Sequence, residues 1–367
     1  MSTQFLNVQL KQNPYQIAIG ENIYDALKEF LSKHYKDSRL CIVTDSTVAD
    51  YHLRDLKQFL TAVHSQPFHI VLPAGEQTKS IFYLEKTVHF ILKNHFERND
   101  VILAFGGGVI GDLAGLAASI TKRSMPFIQI PTTLLAQIDS SIGGKTGINC
   151  QYGKNLIGSF YQPSFVLSDI KFLSTLGKRQ LLAGYAEMLK YSLINNPEFF
   201  QFLDINFEQL FTNKDLLQKA IFTSAQSKVT IVEKDEFEYA ERALLNLGHS
   251  FAHALEAYLE YNPQKIIHGE AVAIGMVLAF EFSAHLNLCP QEDVQKLKQH
   301  LQKTDLPTNI TDLPQKICPE SLFEIMQQDK KMKRGKINLI LAHGIGKAFL
   351  AHDIDPEKLL QFLRTKV

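Results

Sequence analysis

The sequence has no net charge, no paired cysteines and no long apolar run, and each absence argues against a class of protein. Basic and acidic residues each number 38 in 367, which gives no support to binding of nucleic acid or an anionic membrane. The four cysteines are scattered without a CxxC pair, unlike a zinc knuckle or a disulfide framework. The first ten residues lack the features of a secretory signal, and no apolar run is long enough to cross a membrane. We therefore expect a cytoplasmic protein that binds neither nucleic acid nor membrane.

The two halves of the chain differ in hydrophobic periodicity. In the first half, short apolar runs alternate with helix-like stretches, at 40–45, 69–72, 101–105, 127–130 and 164–167. Continuous apolar runs are typical of a parallel sheet covered on both faces. The second half has long segments of helical period, at 179–195, 214–234, 243–258, 270–286 and 292–302. We predict an α/β fold, with an N-terminal doubly wound, Rossmann-like domain over 1–174 and a mostly α-helical domain over 175–367.

Several residues follow the predicted strands, where an open α/β sheet binds ligands. A glycine run, Gly106–Gly108, separates a strand from a helix, an arrangement that suits a pyrophosphate at the helix N-terminus. The spacing is not GxGxxG, and a tight turn explains the glycines equally well. Asp45 suits either a ribose or the cap of the next helix. Glu76 and Lys79 suit either adenosine hydroxyls or a solvated turn.

A second glycine-rich stretch, at 139–147, resembles a Walker loop but lacks its first glycine, because position 139 is aspartate. We therefore exclude a P-loop triphosphatase. The stretch carries Lys145, and Lys154 and Asn155 follow it. Two lysines and an asparagine on glycine-rich backbone suit a phosphate and a carboxylate, although a surface loop is an equal alternative.

Three histidines lie close together in the second half. His249 and His253 are four residues apart in a predicted helix and share one face, and His268 follows shortly after. Imidazoles can bind a divalent ion such as zinc, and a spare one can act as an acid, a base or an anion donor. The HxxxH spacing alone is also typical of ordinary helix histidines.

Two further groups precede these histidines. Glu187 lies in a largely apolar helical segment, and a buried carboxylate needs a partner. That partner is either a metal or Lys190, three residues on. Arg242 and Asn246 lie one turn apart just before the histidines; alternatively, Arg242 pairs with Glu238.

In order along most of the chain, these motifs resemble those of the 3-dehydroquinate synthases. They are PAGE at 73–76 with Lys79, GGGVIGD at 106–112, PTTLLAQID at 131–139, SIGGK at 141–145, GKN at 153–155, AE at 186–187 with Lys190, NLGH at 246–249, HGE at 268–270 and DKK at 329–331. The chain departs from the family pattern at Ala252, where glycine is usual, and at 119–125, where the usual arginine–glycine pair is absent. We expect Ala252 to leave activity intact and residues 119–125 to be structural.

The resemblance implies a role for each group of residues. The metal ligands, for zinc or cobalt, are Glu187, His249 and His268. The residues that hold NAD are Asp45, Glu76, Lys79, Gly106, Gly107, Gly108, Val109, Asp112, Thr132, Thr133, Asp139, Lys145, Lys154, Phe172 and Thr175. The catalytic residues are Lys145, Asn155, His253 and Lys190. The further substrate-binding residues are Lys154, Lys228, Arg242, Asn246, Lys330 and Lys331.

The resemblance also implies the reaction and the assembly. The family closes the sugar phosphate 3-deoxy-D-arabino-heptulosonate 7-phosphate to 3-dehydroquinate. NAD is transiently reduced, phosphate is eliminated, the hydride returns, and an intramolecular aldol step closes the ring. Family members are homodimers. Three alternatives remain: another sugar-phosphate cyclase, such as a 2-deoxy-scyllo-inosose or valiolone synthase; a metal-dependent polyol dehydrogenase, which would release NADH; and a binding protein without catalysis.

Overall fold

The structure is a computed structural model that describes residues 2–239, 241–328 and 337–367. The chain forms two compact units. Unit 1 comprises Met1–Leu181 and Leu217–Phe237, and unit 2 comprises Leu182–Leu216 and Glu238–Val367. We predicted a single change of domain between residues 174 and 175; the division into a cofactor domain and a metal domain remains a prediction about function.

A seven-stranded sheet forms the centre of unit 1. The strands of the described residues are β1 Gln4–Val8, β2 Tyr15–Gly20, β3 Leu40–Asp45, β4 Phe68–Leu72, β5 Val101–Gly106, β6 Phe127–Pro131, β7 Lys145–Cys150, β8 Gly153–Phe160, β9 Phe165–Asp169, β10 Ile337–Ala342 and β11 Ala348–Ile354. The order in the sheet is β1-β2-β9-β6-β5-β3-β4. All its neighbours are parallel except β1, which pairs antiparallel with β2 at the edge.

Helices cover both faces of this sheet, as predicted for a doubly wound fold. The α-helices of the described residues are α1 Tyr24–His34, α2 Ser46–Val48, α3 Arg54–Val63, α4 Ile81–Lys93, α5 Gly108–Ile120, α6 Lys178–Asn195, α7 Pro197–Leu210, α8 Lys214–Lys234, α9 His249–Tyr258, α10 His268–His285, α11 Gln291–Lys303, α12 Pro319–Gln328 and α13 Pro356–Arg364. Successive side chains of β3 point to opposite faces. Ile42 therefore lies in one core with α1 and α3, and Val43 in a second core with α4 and α5.

The carboxyl ends of β3 and β5 lie side by side at the point where the winding of the sheet reverses. From β3 the chain continues to β4 on one side, and from β5 it continues to β6 on the other. In open α/β sheets, ligands bind at such a switch point. The residues that end these strands, Asp45 and Gly106, are two of the predicted cofactor residues.

Unit 2 is mostly helical, as predicted, with one two-stranded antiparallel sheet formed by β10 and β11. The predicted helices at 179–195, 270–286 and 292–302 correspond to α6, α10 and α11, whereas the one at 214–234 corresponds to α8, most of which belongs to unit 1. No helix in the described part of the chain is long and apolar enough to cross a membrane. The four cysteines are free thiols.

The helix predicted at 243–258 was wrong in its first part. Residues Glu241–Asn246 form a 3₁₀ helix, and α9 begins at His249. Gly248 separates the two segments with φ of +79°, a left-handed conformation that glycine adopts without strain. The alternative reading of 139–147 as a surface loop was also wrong in part, because Lys145 begins β7, which pairs with β8 in a hairpin.

Candidate active site

Three glycines in unit 2 let helices and turns approach closely. A Cβ atom at Gly269, in the first turn of α10, would meet the backbone of Ala183 on α6. A Cβ atom at Gly275 would meet the carbonyl of Gly248, and one at Gly248 would lie 2.6 Å from the N–H of Met276. These contacts hold α10 against α6 and against the turn before α9. The first residues of α9 and α10, His249 and His268, are therefore brought to the same place on α6.

Glu187, His249 and His268 converge there. The carboxylate of Glu187 on α6 is fully buried. Its Oε1 lies 3.4 Å from Nε2 of His249 and 3.2 Å from Nε2 of His268. One potential ligand atom from each residue lies within 4.8 Å of the others. Residues from three separate segments thus form one cluster of a carboxylate and two imidazoles.

The second ring nitrogen of each histidine contacts an acceptor. Nδ1 of His249 lies 3.2 Å from the carbonyl oxygen of Leu247, and Nδ1 of His268 lies 3.2 Å from a carboxylate oxygen of Glu256. A histidine that donates its Nδ1 proton presents a lone pair at Nε2, the form that binds a metal. Both imidazoles are therefore oriented with Nε2 toward Glu187.

The pKa values within the cluster differ from those of free side chains. Burial lowers the pKa of His249 to about 4. Burial also lowers the pKa of His268, but its contacts with Glu187 and Glu256 outweigh that effect and raise it to about 10. Burial alone would raise the pKa of Glu187, yet Lys190 and His249 hold it well below its usual range. Near neutral pH, the metal-free cluster therefore holds a carboxylate, a neutral imidazole and one imidazolium.

This donor set fits a catalytic divalent-metal site. Three protein ligands, two imidazole nitrogens and one carboxylate oxygen, leave coordination positions for substrate oxygens. Lys190 also lies 2.6 Å from Oε2 of Glu187, so the ion pair considered as an alternative partner exists beside the cluster. The ring of His253 lies 5.4 Å from that of His249 and 6.3 Å from that of His268, measured between centroids. His253 is adjacent to the three-residue cluster but is not part of it.

Two further predicted residues of unit 2, Arg242 and Asn246, lie in the 3₁₀ helix. Arg242 is almost fully buried. The side-chain amide of Asn246 lies 3.3 Å from the carboxylate of Glu238. Lys330 and Lys331 lie outside the described residues.

In unit 1, the glycine run is required by packing. A Cβ atom at Gly107 would lie 3.0 Å from Thr133, and one at Gly108 would lie 2.8 Å from Ser140. None of the three glycines has positive φ, so the alternative of a tight turn that needs positive φ was wrong. Helix α5 starts beyond the end of β5, and no side chain of its cap residue bonds its first N–H groups. The hydroxyl of Thr132 is buried and lacks a hydrogen-bond partner in the described ranges. Free N–H groups at a helix start and an unsatisfied buried hydroxyl fit a phosphate-bearing cofactor.

Asp45 acts as a helix cap, since its carboxylate accepts a hydrogen bond from the N–H of Val48 at 3.0 Å. Burial raises the pKa of this carboxyl, and the backbone N–H groups oppose the increase. One carboxylate oxygen can cap the helix while the other binds a hydroxyl, so the two interpretations of Asp45 do not exclude each other.

Two buried lysines of unit 1 are paired with predicted cofactor or substrate residues. Nζ of Lys79 lies 2.6 Å from Asp112 and 2.5 Å from Oδ1 of Asn155. Nζ of Lys228, on α8, lies 2.5 Å from the carboxylate of Asp139. Burial raises the pKa of Asp112, and the ammonium of Lys79 opposes that shift. The solvated-turn alternative for Lys79 was wrong, because its side chain is buried.

The other predicted residues of unit 1 lie near the same strand ends or in the hairpin. Val109 is in the first turn of α5, and Lys154 is in β8. The side chain of Phe172 is buried in the core, and the hydroxyl of Thr175 donates to its carbonyl at 3.1 Å. Any contact of Phe172 with a cofactor therefore uses its backbone.

Sequence reasoning missed two residues. Glu256 contacts His268 and lies seven residues after His249, two helical turns along the same face, so spacing contained a signal for it. Asn149 bonds to the carboxylate of Glu76 at 2.7 Å, and nothing in its sequence context indicated that contact.

Two family models match consecutive parts of the chain. Residues 69–183 match the family model described as 3-dehydroquinate synthase N-terminal, and residues 184–332 match 3-dehydroquinate synthase C-terminal. The 3-dehydroquinate synthase of Bartonella bacilliformis is 49% identical over 372 residues, covering 100% of this chain and 99% of that protein. The 3-dehydroquinate synthase of Rhizobium leguminosarum bv. trifolii is 45% identical over 366 residues, covering 100% and 97%.

Two solved structures have closely similar folds. A 2-deoxy-scyllo-inosose synthase complexed with carbaglucose-6-phosphate, NAD⁺ and Co²⁺ has a TM-score of 0.88 and 25% identity, with full coverage of both chains. The 2-epi-5-epi-valiolone synthase of Streptomyces hygroscopicus, with NAD⁺ and Zn²⁺ bound, has a TM-score of 0.87 and 28% identity, covering 97% of this chain and 98% of that one. An iron-containing alcohol dehydrogenase of Thermotoga maritima shares the fold alone, with a TM-score of 0.67, 16% identity and coverage of 100% and 99%.

Proposed function

The chain belongs to the 3-dehydroquinate synthase family, and we propose how its residues divide the work of that reaction. The enzyme converts 3-deoxy-D-arabino-heptulosonate 7-phosphate to 3-dehydroquinate and phosphate, a step toward the aromatic amino acids. The substrate is oxidised at C5, loses the C6 proton and phosphate, is reduced again, opens, and closes by an aldol step. The net reaction is that of a carbon–oxygen lyase.

In unit 2, Glu187, His249 and His268 hold the divalent ion, zinc or cobalt. A bound ion of this kind polarises substrate oxygens and makes a hydroxyl proton easier to remove. Glu256 and the carbonyl of Leu247 keep the two imidazoles in the metal-binding tautomer. His253, adjacent to the cluster, accepts and returns a substrate hydroxyl proton, a role to which imidazole is well suited.

In unit 1, the strand ends and α5 hold NAD. When bound there, NAD would supply a hydride acceptor for the C5 alcohol and a hydride donor for the later reduction. The first N–H groups of α5 would hold the pyrophosphate, Asp45 and Glu76 would hold ribose hydroxyls, and the cofactor would provide the partner that the Thr132 hydroxyl lacks. Lys79 is paired with Asp112 in α5, and its ammonium opposes the rise that burial causes in the pKa of that carboxyl.

Cationic and amide side chains hold the substrate. Its phosphate and carboxylate each need positive partners, and phosphate leaves more readily when its charge is neutralised. We assign this work to Lys145, Lys154, Asn155, Lys190, Lys228, Arg242 and Asn246, together with Lys330 and Lys331. The leaving phosphate itself accepts the C6 proton, which removes the need for a separate strong base. Holding the open-chain intermediate in one conformation directs the aldol closure.

The main observation that supports this proposed function is the convergence of Glu187, His249 and His268 in a member of this family. The test is a product balance with purified protein, zinc and NAD well below the substrate concentration. We expect one phosphate and one 3-dehydroquinate per substrate consumed, with no net NADH. NADH that accumulates in step with product would contradict the proposal and support a polyol dehydrogenase.

A second candidate is another sugar-phosphate cyclase, because two solved structures with similar folds are named as a 2-deoxy-scyllo-inosose synthase and a 2-epi-5-epi-valiolone synthase. The identities of 45–49% to 3-dehydroquinate synthases favour the carboxylate-bearing substrate. Phosphate release from the heptulosonate phosphate, compared with release from a hexose phosphate, separates the two.

We also propose a cytoplasmic homodimer. The family resemblance supports the dimer, and so does strand β8, where Leu156, Ile157 and Phe160 are each about 40% exposed, since exposed apolar surface is typical of interfaces. Free cysteines are consistent with a reducing compartment. Sedimentation at working concentrations is expected to give twice the chain mass of 41.5 kDa; a monomer mass would contradict the dimer.

A further inference from the structure

Asn149 lies at an irregular point of the β7–β8 hairpin. The register of the hairpin shifts between Ile148 and Cys150. At this point the main-chain N–H of Asn149 donates to the carbonyl of Lys79 at 2.9 Å rather than to β8. Irregularities of this kind often lie beside functional sites, because they redirect a side chain.

The side chain of Asn149 links two other residues of unit 1. Its Nδ2 donates to Oε1 of Glu76 at 2.7 Å, and its Oδ1 accepts from the main-chain N–H of Asn155 at 2.9 Å. A carboxylate only accepts and a main-chain N–H only donates, so these partners determine which end of the amide is which. Asn149 thus bonds to Glu76, Lys79 and Asn155 at once.

Asn155 needs such support. Its backbone has φ of +57°, a left-handed conformation that is unfavourable for residues other than glycine and that asparagine tolerates best. Asn149 holds its N–H, and Nζ of Lys79 holds its Oδ1 while also contacting Asp112. Hydrogen bonds and an ion pair therefore run without a break from Glu76 through Asn149, the main-chain N–H and side chain of Asn155, and Lys79 to Asp112.

We propose that Asn149 is a positioning residue that keeps Asn155 and Glu76 in one arrangement before ligands bind. This inference rests on the proposed roles of Glu76 in cofactor binding and Asn155 in substrate binding. Asn149 itself need not touch either ligand. It affects turnover through Asn155 and cofactor affinity through Glu76. A misplaced catalytic group lowers the rate of the reaction.

Two variants separate these effects. Asn149→Ala removes both side-chain bonds and is expected to lower kcat by roughly tenfold and to weaken NAD binding to the metal-loaded enzyme, measured by calorimetry without substrate. Asn149→Asp keeps the acceptor for Asn155 but places a carboxylate beside Glu76. It is expected to weaken NAD binding more than it lowers kcat. Gln151→Ala, an exposed change in the turn of the same hairpin, is the matched control and is expected to match the parent.

A double-mutant cycle with Asn155→Ala distinguishes positioning from general loss of structure. If Asn149 acts on turnover through Asn155, then adding Asn149→Ala to Asn155→Ala leaves kcat unchanged. The inference is overturned if Asn149→Ala lowers kcat as much in the Asn155→Ala enzyme as it does in the parent. It is also overturned if Asn149→Ala alone has the parent kcat and NAD affinity. If Asn155→Ala itself keeps the parent kcat, the proposed role of Asn155 is wrong and the inference falls with it.

Discussion

In unit 2, the candidate metal ligands lie on helices that touch through glycine, whereas in unit 1 the candidate cofactor groups lie beyond strand ends and bond to one another. Glu187, His249 and His268 are held by close packing and point their donor atoms at one place. Lys79 and Lys228 instead lie against carboxylates of unit 1. The candidate metal site should therefore respond to changes in packing and in ligand type. The candidate cofactor residues at the strand ends of unit 1 should respond to changes in hydrogen bonding.

The largest expected effect is a difference in zinc content between variants of His249 and His253, which lie one turn apart on α9. His249→Ala removes a ligand and is expected to abolish stoichiometric zinc and to lower kcat by about 10³-fold or more, since a Lewis acid contributes several kcal/mol. His253→Ala is expected to keep zinc while losing turnover. Metal analysis after gel filtration, together with phosphate release, checks both. Full zinc occupancy in His249→Ala would show that the ligand assignment is wrong.

The difference between the units also explains what the sequence could predict. The apolar runs predicted the doubly wound sheet, because a strand covered on both faces has few alternatives. The start of α9 was missed, because the left-handed Gly248 is required by Gly275 and Met276, which are distant in sequence. The local spacing of residues does not reveal a contact between segments that are distant in sequence.

The candidate sites divide in the same way. Spacing alone left the histidines open between a metal site and ordinary helix residues, and left Glu187 open between a metal and Lys190. The family resemblance implied the ligand set, and Glu187, His249 and His268 do lie together. The division of labour between His249 and His253 came from the family resemblance, since both share one helix face. The bonds of Asn149 depend on a hairpin irregularity that no local spacing encodes.

A methyl group at Gly269 tests whether packing builds the metal centre. Gly269→Ala places Cβ against the backbone of Ala183, and backbone cannot move aside cheaply. We expect a loss of about 3 kcal/mol in the free energy of unfolding and weaker zinc binding, because His268 moves with α10. Gly177→Ala is the control, since its Cβ would meet nothing within 4 Å. Equal stability of the two variants, measured by denaturant titration, would contradict this account.

Removing the negative charge of Glu256 tests whether this residue orients the imidazole of His268 for metal binding. Glu256→Gln loses the carboxylate that accepts from Nδ1, so we expect zinc affinity to fall about 10–100-fold. Glu260→Gln, on the exposed segment just beyond α9, is the matched control and is expected to keep the parent affinity. Competition with a metal chelator measures both. An unchanged affinity in Glu256→Gln would mean that packing alone orients the imidazole.

Metal binding is also expected to release a proton. The pKa of His268 is raised to about 10 in the metal-free cluster, so its imidazole is protonated at pH 7–8 and must lose that proton to bind zinc. The affinity should then fall about tenfold for each unit decrease in pH across this range. In the metal-free protein, the stabilisation from the charged imidazole is complete below its unfolded-state pKa and is lost as pH rises toward about 10. Calorimetry in two buffers of different ionisation enthalpy counts the protons, and zero release would contradict the charge assignment.

The smallest expected effect compares the left-handed positions of the two units. Among the positive-φ residues, unit 2 has glycine at Gly248, with φ of +79°, whereas unit 1 has serine at Ser124, with φ of +88° and ψ of +120°. Ser124 ends a run of three non-glycine residues with positive φ, within the segment where the sequence departs from the family's arginine–glycine pair.

Ser124→Gly should relieve this strain and raise the free energy of unfolding by about 1 kcal/mol, after allowance for the greater freedom of glycine in the unfolded chain. Turnover should match the parent, since the segment carries no proposed site residue. Thermal unfolding with Ser65→Gly as the control checks this, because position 65 is not among the positive-φ residues and should gain nothing. A destabilised Ser124→Gly would show that the serine is held by contacts stronger than the strain.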